Sequence, residues 1–161
     1  MTALVLLDDL KQFVANAVKD FRLTSGKTLA APKVHKGYLP LNSDDDSPTF
    51  PYIIVRLTKV SDTSSGSTAR IIILIGTQSE DDDGYIDAWN VGERIRQALL
   101  TNRLLSSIFP LQLPLELESP EREQPYPEAI CWLTTLWQVP QPQNKLEDGV
   151  YGEDIPGSGQ I

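Results

Sequence analysis

The sequence predicts an α+β domain: an antiparallel sheet of about four strands with two helices packed on one face, followed by a flexible polar tail. Three observations predict it. Residues 50–58, 69–76, 111–118 and 128–139 are rich in β-branched, aromatic and leucine residues, and the first two and the last two are adjacent along the chain. Residues 3–22 and 85–104 repeat apolar side chains every three to four positions. After Val139 the chain turns polar, from Pro140-Gln141-Pro142-Gln143 to Pro156-Gly157-Ser158-Gly159-Gln160-Ile161. Residues 1–139 are therefore expected to form one domain and residues 140–161 a flexible tail.

The first helix follows from Leu6, Leu10, Phe13, Ala17 and Phe21, with Leu7, Val14 and Val18 beside them. Asp8 and Asp9 lie early and Lys19 and Arg22 late, which suits the helix dipole. Thr24-Ser25-Gly26 is expected to end it. Gly26-Lys27-Thr28 copies the end of a phosphate-binding loop, but Phe21 stands where that motif needs a glycine, and a helix precedes it in place of a strand. Residues 30–49 carry Pro32, Pro40 and Pro48 and are expected to be extended, with a short edge strand over 34–39. His35, the only histidine, stands between lysines and has no neighbours for a metal site.

The organising unit is 51–104. Ile53, Val55 and Leu57 alternate with Ile54, Arg56 and Thr58. Ile71 to Ile75 is apolar without a break, so both faces of that strand should be covered, one by helices and the other by a further layer or a second subunit. Residues 61–68 are Ser, Thr, Gly and Asp with no apolar anchor, which predicts a mobile eight-residue loop. Within it Asp62, Thr63, Ser64, Ser65, Gly66 and Ser67 form a candidate partner-contact loop. Residues 79–90 resemble a calcium loop only in part: Ser79 and Asn90 occupy the two end positions where ligating acids belong. Asp82 and Asp83 are better placed to cap the next helix, whose apolar face is Ala88, Val91, Gly92, Ile95, Ala98 and Leu99. Gly92 on that face costs about 1 kcal/mol of helix propensity and suggests close packing on the sheet. Leu111, Leu113, Leu115 and Leu117 alternate with polar residues, and Pro114 marks an edge. The last strand sets Ala129, Cys131, Leu133 and Trp137 on one face and Ile130, Trp132, Thr134 and Leu136 on the other.

Composition narrows function. The 161 residues are 40% hydrophobic and 22% charged, enough for a core without disulfides or metals. The single cysteine excludes an intrachain disulfide and is expected to be buried. A net charge of -8 repels nucleic acid and anionic membranes. Residues 1–10 lack the basic start of a signal peptide, and no apolar run reaches the roughly 20 residues that span a bilayer. No nucleophile elbow, phosphate loop, metal cluster or histidine-activated nucleophile is visible, so neither an enzyme nor a cofactor is expected.

The order helix, long connection, hairpin, acidic turn, helix, hairpin, polar tail resembles the tail terminator (tail-completion) proteins of long-tailed bacteriophages. The likeness lies in Pro51-Tyr52-Ile53-Ile54-Val55-Arg56-Leu57 and Ile71-Ile72-Ile73-Leu74-Ile75-Gly76. It continues in Asp82-Asp83-Gly84-Tyr85, the helix over 88–99 and the strand opening Pro127-Glu128-Ala129-Ile130. It covers 3–139, and the 61–68 loop and the long tail depart from it. The resemblance implies a virion protein assembled in the host cytoplasm. It would form a hexameric ring that caps the tail tube protein, meets the head–tail connector and lets DNA pass without specific binding. Asp44, Asp45, Asp46, Asp81, Asp82 and Asp83 are the candidate acidic lumen or assembly surface. A head-completion or neck protein, or a small acidic adaptor or ligand-binding module, are the alternatives.

Overall fold

The long strands dominate because β-branched residues favour the pleated backbone and stack well across it. The computed structural model describes residues 2–40, 48–122 and 125–143. In chain order the elements are α1 (Ala3–Val18), β1 (Leu23–Ser25), β2 (Thr28–Ala30), β3 (Lys33–Lys36), β4 (Tyr52–Thr63), β5 (Gly66–Gln78), α2 (Ile86–Thr101), β6 (Leu104–Leu105), β7 (Phe109–Glu118) and β8 (Glu128–Val139). The main sheet has the order β3-β4-β5-β8-β7-β6, and β1 and β2 form a separate hairpin.

The four expected strands form the antiparallel centre of this sheet as β4, β5, β8 and β7. The sheet as a whole is nevertheless six-stranded and mixed, because β3 joins β4 in parallel, from Lys33↔Tyr52 to Lys36↔Val55. Parallel pairing requires a crossover connection, and the chain between β3 and β4 supplies it.

Both helices lie on one face. Leu6, Leu10, Val14 and Val18 of α1 and Ala88, Val91, Ile95 and Leu99 of α2 share a core with Ile53, Val55, Ile71, Ile73, Ile75, Leu133 and Trp137. Thr2 caps α1, its hydroxyl accepting from the Val5 amide at 3.4 Å. The helix stops at Val18, short of the expected Arg22. Leu23 to Ala30 are taken up by the β1–β2 hairpin, and Asp20 brings an acid to the helix's negative end. Gly26, at φ +62°, sits in the hairpin turn, so the phosphate-loop resemblance also fails on geometry.

Gly92 is needed for the fit of α2 to the sheet. A Cβ there would stand 2.7 Å from Leu117 Cδ1 and 3.4 Å from Cys131 Sγ. α2 ends at Thr101, before the expected Leu104. Asn102 donates from its backbone amide at 3.0 Å and its side-chain amide at 3.2 Å to the Ala98 carbonyl, and Leu104-Leu105 then pair with Phe109-Pro110. Capping of α2 by Asp82 or Asp83 is not found: Tyr85 occupies the cap position and no side chain closes it. The turn is instead built from backbone bonds, Gly84 N to Asp81 O and Ile86 N to Asp83 O, both 3.0 Å.

Two further expectations are corrected. Residues 61–68 are not a loop. β4 and β5 run through them to a two-residue turn at Ser64-Ser65. Thr63 Oγ1 donates to the Gly66 carbonyl and accepts from the Ser65 amide, Ser67 Oγ donates to Asp62 Oδ1 at 2.5 Å, and β8 continues beside β5 as far as Ser67↔Val139. Serine and threonine supply no apolar signal, but their hydroxyls pin the turn locally. In β7 the alternation breaks: between Gln112 and Glu116 the register slips, four positions against two of β8, and Leu113 is 51% exposed. Pro114 lies inside this irregularity, where no ladder bond is lost.

Cys131 is fully buried, its thiol donating to the Ala88 carbonyl at 3.2 Å, and burial pushes its pKa up to about 12. The thiolate that alkylating reagents require is scarce at neutral pH. We expect the folded protein to keep an unmodified thiol under iodoacetamide at pH 7.5 and to take one adduct in denaturant, read by intact mass. Rapid labelling of the native protein would show that this strand face opens.

Candidate assembly surfaces

Three surfaces arise from the way the strands alternate and the sheet ends. The first is the acidic turn between β5 and α2. Asp81, Asp82 and Asp83 are all exposed. The Ser79 hydroxyl accepts from the Asp81 amide at 3.3 Å, and Tyr126 Oη donates to the Glu80 carbonyl at 2.5 Å, which ties the turn to the end of the β7–β8 connection. A cleft of about 370 Å³ opens beside it, lined by Asp81, Asp82, Tyr85, Trp89, Arg122 and Tyr126. Asp87, in the first turn of α2, has its pKa raised by burial and then by the charge of Asp81. Asp44, Asp45 and Asp46 lie outside the described residues.

The second is the hairpin tip. Asp62, Thr63, Ser64 and Ser65 are exposed, while Gly66 is half-buried and Ser67 buried. Tip and acidic turn occupy opposite ends of β5, which at 13 residues spans roughly 43 Å. Among the described residues, the structure thus keeps Asp81, Asp82 and Asp83 apart from the predicted contact loop.

The third is the helix-free face of the sheet, with the edges that bound it. On β8 burial alternates strictly from Glu128 to Trp137. Ala129, Cys131, Leu133, Thr135 and Trp137 point to the helices, and Ile130, Trp132, Thr134 and Leu136 point away and are half-buried. Ile72 and Leu74 of β5 share this face and are also half-buried. Phe50, Tyr52, Ile54, Leu39 and Leu74 form a small second cluster at one end. The expectation of apolar side chains on both faces therefore holds: the helices cover one, and on the other Phe50, Tyr52 and Ile54 are buried in their own cluster while Ile72, Trp132, Thr134 and Leu136 stay half-buried among the described residues.

Charge flanks this face unevenly. Along β4 and β5 stand Arg56, Lys59 and Arg70; along β7 stand Glu116 and Glu118. All five are exposed. Arg56 Nε donates to the Gly37 carbonyl at 2.7 Å and Arg70 Nε to Thr58 Oγ1 at 3.0 Å, so both guanidinium groups are held in place. Beyond β4 lies β3 with Lys33, His35 and Lys36, where Lys36 pairs with Asp8 of α1. The His35 pKa is lowered, first by burial and then by Lys33 and Lys11, so the ring is neutral at physiological pH. The outer edge of β3, and that of β7 beyond Leu111, carry no further strand among the described residues. One end of the sheet is thus basic and the other acidic. Sequence reasoning missed Arg56, Arg70, Glu116 and Glu118 because their common face depends on cross-strand register.

Among the described residues no group of three or more His, Cys, Asp or Glu is placed to hold a metal ion. No helix among them is long and apolar enough to cross a membrane. The chain matches no protein-family model and no curated protein.

Proposed function

We propose that this chain is a tail terminator of a long-tailed bacteriophage, six copies of which close into a ring that caps the tail tube and meets the head connector. The observation that carries the reading is the polarity of the sheet, with open edges of opposite charge at its two ends. An exposed edge invites pairing with another strand. Joining β3 to β3 or β7 to β7 sets like charges together, whereas β7 against a neighbour's β3 sets Glu116 and Glu118 near Lys33. In subunits of common orientation those two strands run antiparallel, since β3 follows β4 and β7 opposes β8. Contacts that repeat head to tail close into rings when the rotation allows.

Charge supports the conduit role. Six copies at -8 carry -48, which disfavours retention of phosphates inside the ring. Such a protein needs no catalytic group, works in the virion and is assembled in the host cytoplasm.

The edge contact has a direct test. Introducing Lys33→Cys and Glu118→Cys and oxidising the assembled protein should give a cross-linked ladder that stops at six copies. Cys131 is buried and stays out of the reaction. Products no larger than those of the single variants would rule the contact out.

Replacing Asp81, Asp82 and Asp83 with lysine moves each chain from -8 to -2, and six copies from -48 to -12. All three side chains are exposed, so the circular dichroism spectrum and melting temperature should change little. Plating efficiency of virions carrying the change should fall at least tenfold. Full infectivity would remove any need for acid at this turn.

A further inference from the structure

We infer that, away from tails, the helix-free face of the sheet docks on the same face of a second copy about a two-fold axis parallel to the strands. The proposal goes beyond the ring reading and does not rest on it, since the ring contact uses the strand edges. Its basis is one cross-strand row. Arg56 faces Ile72, Ile72 faces Thr134, and Thr134 faces Glu116. The row runs from cation through two uncharged side chains to anion across four strands, and these residues lie on the side away from the helices.

Two sheets can meet face to face about either of two in-plane axes. An axis across the strands lays β4 on β4 and β7 on β7, setting Arg56 against Arg56 and Glu116 against Glu116. An axis along the strands, passing between β5 and β8, exchanges β4 with β7 and β5 with β8. Arg56 then meets the partner's Glu116, and by symmetry Glu116 meets the partner's Arg56. The adjacent row follows suit: Leu74 and Trp132, neighbours on β5 and β8, each meet the other residue of the partner. Charge selects the second axis, and the apolar centre supplies the contact. Aligned packing of two twisted sheets at about 30° and roughly 10 Å is an ordinary sandwich geometry.

The size of the face sets the strength of the contact. Beyond the end that Phe50, Tyr52 and Ile54 already fill, four strands and about three alternating rows cover roughly 400 Å² in projection. That is about half of the roughly 800 Å² per partner of a standard specific interface, so the contact is a weak one. A measurable, reversible dimer is the expected outcome.

The test is a charge exchange read by sedimentation equilibrium on the full chain without tail tubes. The wild type should associate reversibly to two copies of 17.9 kDa. Glu116→Arg and Arg56→Glu should each weaken the dimer at least tenfold, and the double exchange should recover most of the loss. Glu116 is exposed and its side chain makes no hydrogen bond or ion pair among the described residues, so Glu116→Arg remains informative even if Arg56→Glu disturbs the Gly37 contact. A monomer at every concentration would overturn the proposal. So would a dimer indifferent to Glu116→Arg, or one whose double exchange is no tighter than the single variants. None of these outcomes bears on ring closure in the presence of tubes, so the two readings fail separately.

Discussion

Replacing Trp137 with alanine should destabilise the domain by about 3–5 kcal/mol, the range for deleting a fully buried large aromatic side chain. Trp137 has no exposed surface and sits where β8 lies between β5 and β7, opposite Ala69 on one side and Leu111 on the other. Its indole Nε1 donates to Thr135 Oγ1 at 2.8 Å, and that hydroxyl donates to the Ile71 carbonyl at 2.7 Å. The chain of bonds gives a second readout. Trp137→Phe keeps most of the apolar contact and loses the N–H donor, while Thr135 keeps its own bond to Ile71. That variant should cost less than half as much as alanine. The midpoint of thermal unfolding should fall by roughly 10 °C in the alanine variant. A drop of under 2 °C would mean that the core does not depend on this strand as described.

Gly76→Ala is the second large effect. An added Cβ would lie 2.5 Å from Tyr52 Cε1 and 2.6 Å from Tyr52 Oη. Tyr52 is directly opposite Gly76 in the ladder and covers it. The ring has little room to retreat, because it is buried and its centroid stands 5.2 Å from that of Phe50. Overpacking of this kind costs about 1–3 kcal/mol. A double-mutant cycle with Tyr52→Leu identifies the cause: if the ring is what the methyl group meets, the double variant should be more stable than the sum of the singles. Strict additivity would place the strain elsewhere.

Much of the fold was legible where apolar period and length were both strong. The two helices, the β4–β5 and β7–β8 pairs and the close approach at Gly92 all follow from such patterns. What was not legible has specific causes. β1 and β2 are three residues each, too short for any period to register. β3 was read as a short edge strand over 34–39 and is found at Lys33–Lys36, but its parallel pairing with β4 leaves no local mark. The hairpin tip was read as a loop because Ser and Thr carry no hydrophobic signal, whereas β8 holds β5 in register up to Ser67. The slip in β7 is likewise invisible until Gln112 and Glu116 are aligned with Leu136 and Thr134. The candidate surfaces divide in the same way. The acidic turn was plain as a run of aspartates. The exposed charges around the helix-free face were scattered over three strands, and only the register gathers them.

Imaging the purified protein with isolated tail tubes by electron microscopy tests the assembly reading most directly. Closed sixfold rings are expected, six copies at 17.9 kDa each or about 107 kDa, seated on one end of each tube and absent from the other. Tubes that stay bare while the protein remains as monomers or pairs would contradict that reading.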